Sequence, residues 1–489
     1  MMNDRLSQVL AGVFALLIVG GIFAFANFSP APKSEKTNAT EIVETRSSKH
    51  PIVTQKIEGI LDIQEIKSRE GLKAWLVRGT SVPVITINFA FLGAGSASDP
   101  GDKIGLARLA SNTMDEGAGE MSSKDFQAAL QRDAIRLFFS SDRDTFGGRL
   151  KTLSKNKDRA FQLLEMAFTQ PRFDEAPVAR MKQANIARIR KSLSEPGWRA
   201  ARIAYDTAFE GHPYAKNSGG TISGLQAITQ EDLKSFTRTR LARDNLVIGI
   251  SGDITIKDAG DALDSIFGAL PEKAQIEDIP RTKLTNHGLS VQHELDIPQT
   301  HIQLWHPGPK RSDDYYAEKK ILNSIFGGSG FGSRLMTEAR EEKGLTYGIY
   351  SYFQHFDHAD IFAISTSTEN AKAGQMMTVI IKEIQKLRES GVTKDELESI
   401  KSYLTGSLPL KFTSNSDISG TLVSLQAEGL AIDYLDNYKK ELMNADIKTI
   451  NEIAKSFLDF KKFVGVTVGR PEGLDFEPDV RLKDIPGVK

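Results

Sequence analysis

Two features of the sequence predict an α+β fold that is repeated along the chain. From about residue 56 to residue 480, short β-like runs alternate with long amphipathic helices, without a strict strand–helix–strand rhythm. Matching strands recur at nearly equal separations, because Ile87 lies 165 positions before Gly252 and Ile302 lies 167 positions before Gly469. Equal spans of this kind indicate duplication of one structural unit.

Two domains follow from that repeat. A polar stretch near 270–290, rich in charged residues and containing two prolines, separates the copies. We therefore expect an N-terminal domain over 56–270 and a C-terminal domain over 285–485.

The first copy contains three strand candidates and one clear helix. Residues 84–91 are largely β-branched and aromatic and lead into a glycine turn. Apolar residues alternate over 135–139, as in a half-buried strand, and 246–252 closes the copy as another strand. A helix is predicted from the spacing of Phe161, Leu164 and Phe168.

The second copy follows the same plan. Its expected elements are strands at 301–305, 347–354, 360–368 and 463–468 and helices at 316–326 and 377–387. Thr393 and Glu396 have the spacing of a capping box, so a further helix is expected to begin directly after Thr393.

Composition excludes several classes of function. The chain has 62 Lys and Arg against 63 Asp and Glu, and this net charge of −1 argues against a nucleic-acid binder, which needs a basic surplus. The absence of cysteine excludes disulfides, iron–sulfur clusters, thiol nucleophiles and thiolate-bound zinc. Any metal bound by this chain would need His and carboxylate ligands, and there are only eight His.

The N-terminus is predicted to carry an export signal. Residues 9–26 are apolar and uncharged, just long enough to cross a bilayer core of about 30 Å. Arg5 precedes this run, and residues 24–26 offer the small-x-small pattern of a signal-peptidase site. A cleaved signal peptide and an uncleaved anchor over 1–28 both remain open. In either case a polar linker over 29–55 follows, and the remainder is expected to be exported.

Local motifs alone reveal no active site. The glycine-rich stretch Gly327–Ser333 lacks the Gly-Lys-Ser/Thr ending of a phosphate loop and follows a helix, so we expect a loop between helices. His355 and His358 are expected to be exposed turn residues. His301 and His306 are five apart in an extended run and project to opposite faces. No Gly-x-Ser-x-Gly elbow is present.

Three stretches resemble the insulinase/pitrilysin-like metallopeptidases, the inverted zincins, in their short two-domain bacterial form. They are Gly95-Ser-Ala-Ser-Asp-Pro with Gly105-Leu-Ala, His212-Pro-Tyr214 with the segment up to Asp253, and most specifically the run from Gly332 to Tyr347. The resemblance spans about 80–480. It implies two tandem homologous domains of the mitochondrial-processing-peptidase-like metallohydrolase type.

The positions that hold zinc in catalytic members have been replaced in this chain. In the family the Gly-Leu-Ala run continues into H-x-x-E-H, where two His bind zinc and the Glu activates water. The matching positions are Arg108, Ser111 and Asn112, and the third ligand position falls near Ala187 or Arg188. Arginine is a permanent cation that would repel a divalent ion. The resemblance therefore implies no metal bound by this chain.

The other half of the family's site is retained. Family members carry an Arg and, seven positions later, a Tyr that contact substrate carbonyl oxygens and stabilise the tetrahedral intermediate. Arg340 and Tyr347 match that pattern. The resemblance implies that both are catalytic and substrate-binding residues of a zinc-less subunit, whose homologous partner supplies zinc, water and the Glu base. The expected setting is periplasmic, either soluble or anchored to the inner membrane, with peptide as substrate and no nucleic acid.

Two rival hypotheses remain open at this stage. The chain could be a non-catalytic scaffold or peptide-binding member of the same family at the membrane. It could also hydrolyse peptides on its own through an unrecognised site.

Overall fold

The computed structural model describes residues 50–474, 477–478 and 488. The strands in chain order are β1 (Ile52–Ile57), β2 (Ile63–Lys67), β3 (Lys73–Arg78), β4 (Val84–Leu92), β5 (Arg136–Ser141), β6 (Thr145–Leu153), β7 (Leu246–Gly252), β8 (Ser290–Glu294), β9 (Gln299–Pro307), β10 (Ile349–His355), β11 (Asp360–Glu369), β12 (Val464–Gly469) and β13 (Glu477–Pro478).

The α-helices are α1 (Leu106–Ser111), α2 (Ser123–Arg132), α3 (Lys157–Thr169), α4 (Glu175–Ser192), α5 (Pro196–Ala208), α6 (Ile222–Ala227), α7 (Gln230–Arg240), α8 (Ile256–Phe267), α9 (Tyr316–Asn323), α10 (Arg334–Met336), α11 (Ala373–Ser390), α12 (Lys394–Ser407), α13 (Asn415–Ala427), α14 (Tyr434–Asn444) and α15 (Ile447–Phe457). Single π-helical turns follow α9 and α10, at Ser324–Gly328 and Thr337–Glu342. The fold is mixed α+β, as the sequence predicts.

The described strands form two sheets that repeat one topology. Their orders are β1-β2-β3-β7-β4-β6-β5 and β10-β11-β9-β12-β8-β13. The segment β3-β7-β4-β6-β5 matches β8-β12-β9-β11-β10, since in each the first pair is parallel and the next three pairs are antiparallel. Ile87 lies opposite Ile250 and Ile302 lies opposite Thr467, so the equal spans in the sequence connect equivalent neighbouring strands.

A helix from each half packs against the sheet of the other half. Helix α13 covers β4 and β7, and the side-chain amide of Gln426 donates to the carbonyl of Ile248 at 2.9 Å. The contact is close enough to require glycine in β7, because a Cβ on Gly249 would lie 2.4 Å from the carbonyl oxygen of Ser419.

The reciprocal contact joins α5 to β9 and β12. The ring of Tyr205 on α5 meets that of Trp305 on β9 edge-to-face at 4.7 Å. Ile203 of α5 and Val466 of β12 belong to one buried apolar cluster. The hydrophobic core therefore runs across both halves of the chain.

The elements named from the sequence are confirmed, with ends that shift by at most a few residues. Thr393 and Glu396 form the predicted capping box at the start of α12. The linker predicted over 29–55 is wrong at its end, because Ile52 already begins β1 and Val53 packs against the buried core. This segment pairs antiparallel with β2 and forms the edge strand of the sheet.

The apolar run at 9–26 and the first part of the linker lie outside the described residues. Among the residues from 50 onward that the structure describes, no helix is both long and apolar enough to cross a membrane.

Candidate functional site

Helix α1 is held in place by a buried carboxylate. The Asp99 side chain accepts hydrogen bonds from the backbone N–H groups of Gly105 (2.9 Å) and Ala107 (3.1 Å), and from the Arg240 guanidinium at 3.2 Å. Gly105 has φ of 110°, and a Cβ there would lie 2.9 Å from the Cα of Gly220. The Asp-Pro…Gly-Leu-Ala stretch of the sequence therefore positions α1.

None of the three zinc-motif positions on α1 offers a metal ligand. Arg108 is half-buried, and its carbonyl accepts a hydrogen bond from the buried Ser111 hydroxyl at 2.9 Å. Asn112 ends the helix, where its backbone N–H bonds to Leu109. The helix is intact, but the Arg, Ser and Asn at these positions replace the imidazole and carboxylate ligands that zinc requires.

Arg108 and Arg188 line one cavity of about 240 Å³, which lies beside α1 and α4. Arg188 is exposed and its guanidinium donates to the Asn185 amide oxygen at 3.3 Å, whereas the exposed Ala187 offers no ligand atom. Burial, and next the nearby Arg188 charge, lower the pKa of the Arg108 guanidinium. We call this space the Arg108–Arg188 cavity.

The residues present in the Arg108–Arg188 cavity do not fit zinc. Zinc takes His, Cys or carboxylate ligands, and no such side chain lines the cavity. Two guanidinium groups would also repel a divalent cation. Across the described residues, no group of three or more His, Asp and Glu side chains is arranged to hold a metal ion.

Arg340 and Tyr347 lie near each other in sequence, on the segment that leads into β10. Arg340 is half-buried in the π-helical turn after α10, and its guanidinium carbon lies 4.5 Å from the ring centroid of Phe331. Tyr347 is 88% exposed. The nearby Glu338 pairs with Lys343 at 2.6 Å, so it is not the partner of Arg340.

Both side chains are left available by the described part of the chain. Within residues 50–474, neither the Arg340 guanidinium nor the Tyr347 hydroxyl makes a hydrogen bond or an ion pair. Neither residue lines the Arg108–Arg188 cavity.

The glycine-rich loop holds Arg340 from one side. Gly327–Ser333 connects α9 to α10, as expected for a loop between helices, and Ser333 is fully buried at its end. Phe331 projects from the loop with 55% of its surface exposed and supplies the ring under Arg340.

The expectation of exposed turn histidines is wrong for His355. It ends β10, and its ring nitrogens contact the Asp360 carboxylate at 3.0 Å and the Tyr316 hydroxyl at 3.1 Å. Both ring nitrogens are occupied, so His355 has none left for a metal. His306 is likewise engaged, because its Nε2 accepts the backbone N–H of Asp459 at 3.2 Å.

One polar network between the two halves was not predicted from the sequence. The buried Tyr214 hydroxyl donates to the Asp144 carboxylate and accepts the backbone N–H of His358 at 2.9 Å. The backbone N–H of Asp357 donates to Asp144 at 3.2 Å. Burial, with the Asp144 charge beside it, raises the pKa of Asp357 to about 7. Tyr214 belongs to the His-Pro-Tyr signal, but nothing in the sequence marks Asp144 as its partner.

Fold and site together define a class of protein. Two α+β halves share one topology, the helix of a metallopeptidase motif is in place, and its metal-binding side chains are replaced by arginine, serine and asparagine. This is the architecture of a peptidase-like chain without the family's metal centre.

Comparison with known proteins agrees with that class. A family model described as the peptidase M16 inactive domain matches residues 227–404, a little over a third of the chain. The non-peptidase homolog YmxG of Helicobacter pylori is 25% identical over 376 residues, which cover 77% of this chain and 86% of that protein. An uncharacterized zinc protease YmxG of Bacillus subtilis is 23% identical over 397 residues, covering 80% and 91%.

A solved structure is also similar to this chain. The crystal structure of a peptidase M16 inactive domain from Pseudomonas fluorescens superposes with a TM-score of 0.78 at 27% identity, covering 86% of this chain and 100% of that one. Over most of its length the chain is therefore similar to inactive-type members of the M16 family, the insulinase/pitrilysin-like peptidases, in agreement with the resemblance seen in the sequence.

Proposed function

We propose that this chain is the non-zinc subunit of a heterodimeric zinc metallopeptidase that cleaves peptides in a chamber between the two chains. A homologous partner carries H-x-x-E-H and supplies zinc, the attacking water and the general base. This chain supplies half of the chamber together with Arg340 and Tyr347. It binds no metal in the family manner and is inactive alone.

The observation that carries the proposal is the availability of Arg340 and Tyr347. A guanidinium and a phenol are hydrogen-bond donors suited to the negative charge that develops on a carbonyl oxygen during peptide hydrolysis. Arg340 is oriented by Phe331 and has no carboxylate partner among the described residues, and the Tyr347 hydroxyl is exposed. A chain that served only as a scaffold would have no need for two such unpaired donors.

The repeated topology supports the expected arrangement of the chain. In this proposal, 56–270 and 285–485 are tandem homologous domains of the mitochondrial-processing-peptidase-like type. The first has lost the zinc motif and the second carries the Arg/Tyr pair. Such a chain complements a partner that retains the zinc motif in its own first domain.

The proposed location is the periplasm. The apolar run at 9–26 directs export, and the chain is either released after cleavage or held at the inner membrane by that segment. N-terminal sequencing of the purified protein distinguishes the two: a mature terminus shortly after residue 26 indicates release, and an intact Met1 indicates an anchor.

The deciding experiment measures cleavage of a peptide library by this chain, by a zinc-motif homologue encoded beside it, and by the mixture. We expect activity only in the mixture, and its loss on chelation of zinc. Activity of this chain alone that survives chelation would instead indicate independent hydrolysis.

A scaffold role gives a different pattern in the same experiment. Mixing would then add nothing to the activity of the zinc-motif homologue, and affinity purification would recover membrane proteins in place of a peptidase. Either result would refute the split-site proposal.

A further inference from the structure

The Arg108–Arg188 cavity carries positive charge without a counter-charge. Its walls present two guanidinium groups, and none of its lining side chains is acidic. Neither arginine has an ion pair among the described residues; the hydrogen bond from Arg188 to Asn185 is to a neutral amide. Two cations that share a cavity repel each other, and an anion between them would relieve that repulsion.

Two residues that line the same cavity also carry an unsatisfied neutral donor. Asn185 is 3% exposed, and its amide nitrogen has no hydrogen-bond partner in the described chain. The hydroxyl of Ser141, at the end of β5, is buried and likewise unpaired. Buried polar groups are normally hydrogen-bonded, so two unpaired ones on one cavity indicate a missing ligand that accepts hydrogen bonds.

The dimensions limit the ligand to a small group. A volume of about 240 Å³ lies below the roughly 300–1,000 Å³ of pockets that hold drug-sized molecules. It can admit one terminal residue or one side chain, but not a folded segment. Planar guanidinium groups match the geometry of a carboxylate, with which they form paired hydrogen bonds.

We propose that the Arg108–Arg188 cavity binds the C-terminal carboxylate of the peptide substrate. Arg108 and Arg188 supply the charge, while Asn185 and Ser141 donate the neutral hydrogen bonds. The inference rests on the proposed function for its choice of a peptide as the source of the carboxylate. The surface where the family binds metal would thus serve in this chain to select substrate by charge.

Trp198 makes the binding measurable. The chain has three tryptophans; Trp198 lines the cavity and is half-buried, whereas Trp75 and Trp305 are buried elsewhere. The test titrates the full chain with acetyl-dialanine bearing a free carboxylate, with its C-terminal amide, and with inorganic phosphate. Tryptophan fluorescence and calorimetry follow each titration. We expect the free-carboxylate peptide to bind and change the fluorescence, and the amide to fail.

A charge reversal provides the specific variant. Arg188→Glu should weaken carboxylate binding by about 10–100-fold, the loss expected for one charged hydrogen-bonded contact. The new carboxylate can pair with Arg108, so the variant should remain folded, which circular dichroism and the melting temperature check. Arg190→Glu is the matched control, because Arg190 is exposed on the same helix and does not line the cavity.

Each other outcome overturns the proposal. Binding of phosphate without the peptide would reject the carboxylate as ligand, and absence of all binding would reject the site. Equal weakening by Arg190→Glu would show that the effect comes from general surface charge. The binding test needs no partner chain. Carboxylate binding without cleavage in the mixture would therefore refute only the proposed function, and cleavage without carboxylate binding would refute only the cavity.

Discussion

Replacing Tyr347 by phenylalanine tests its proposed catalytic role with little expected effect on folding. The substitution removes one hydroxyl and retains the ring. That hydroxyl makes no hydrogen bond within residues 50–474, and the side chain is 88% exposed. We therefore expect the free energy of unfolding to change by less than about 0.5 kcal/mol, as for other surface substitutions.

The expected effect on turnover is much larger. Loss of one donor to an oxyanion typically lowers kcat by about 10²–10³, which corresponds to about 2.7–4 kcal/mol of transition-state stabilisation. Tyr347→Phe should therefore reduce kcat of the assembled pair by that factor, while KM changes less. The interaction strengthens as negative charge develops on the substrate oxygen, so it acts mainly on the transition state.

The assay needs three measurements on the same preparation. Gel filtration with the zinc-motif partner checks assembly, urea denaturation checks stability, and steady-state kinetics give kcat and KM. Tyr403→Phe is the control, because Tyr403 is also an exposed tyrosine but lies on α12. A kcat within about threefold of the wild type, with assembly intact, would refute the role assigned to Tyr347.

Three further predictions follow from the contacts. Asp99→Ala should lower the free energy of unfolding in urea by about 3–5 kcal/mol, because Arg240 would be left buried without its counter-charge; a loss below 1 kcal/mol would contradict this. Asp357 has its pKa raised to about 7 by burial, so folding favours its protonated form and stability falls as pH rises from about 4 through 7. The free energy of unfolding of Asp357→Asn, taken relative to that of the wild type, should therefore be about 1–2 kcal/mol higher at pH 8 than at pH 5, after allowance for solvent screening. An equal difference from the wild type at both pH values would refute this prediction. Phe331→Ala should lower kcat of the pair by about 3–10-fold without changing stability, since Arg340 loses its stacking partner; unchanged kcat would show that the stacking is incidental.

Local patterns predicted the elements of this fold well. Strands appeared where apolar residues alternate, as at 135–139, and the capping box at Thr393 fixed the start of α12, because both signals depend on neighbours in sequence. The same patterns do not specify which sheet an amphipathic helix covers. The exchange of α5 and α13 between the two halves is therefore visible only in three dimensions.

The candidate site, too, could be predicted from the sequence only in part. Residue types at Arg108, Ser111 and Asn112 were enough to exclude the family's metal chemistry. That Arg108 and Arg188 share a cavity depends on the packing of α1 against α4, 80 positions apart. The burial of His355 depends on Tyr316 and on the neighbouring strand, which no spacing rule anticipates.

The exchange of α5 and α13 bears on how a peptide would enter the proposed pair of chains. Moving the two halves of this chain apart would strip α5 from β9 and β12 and α13 from β4 and β7, and would expose apolar surface on both. Each chain is therefore expected to move as one rigid body, without an internal hinge. In the proposed pair, a substrate would then reach the chamber only when one chain tilts or separates from the other. Opening would then depend on the contact between the two chains and not on a hinge within this one.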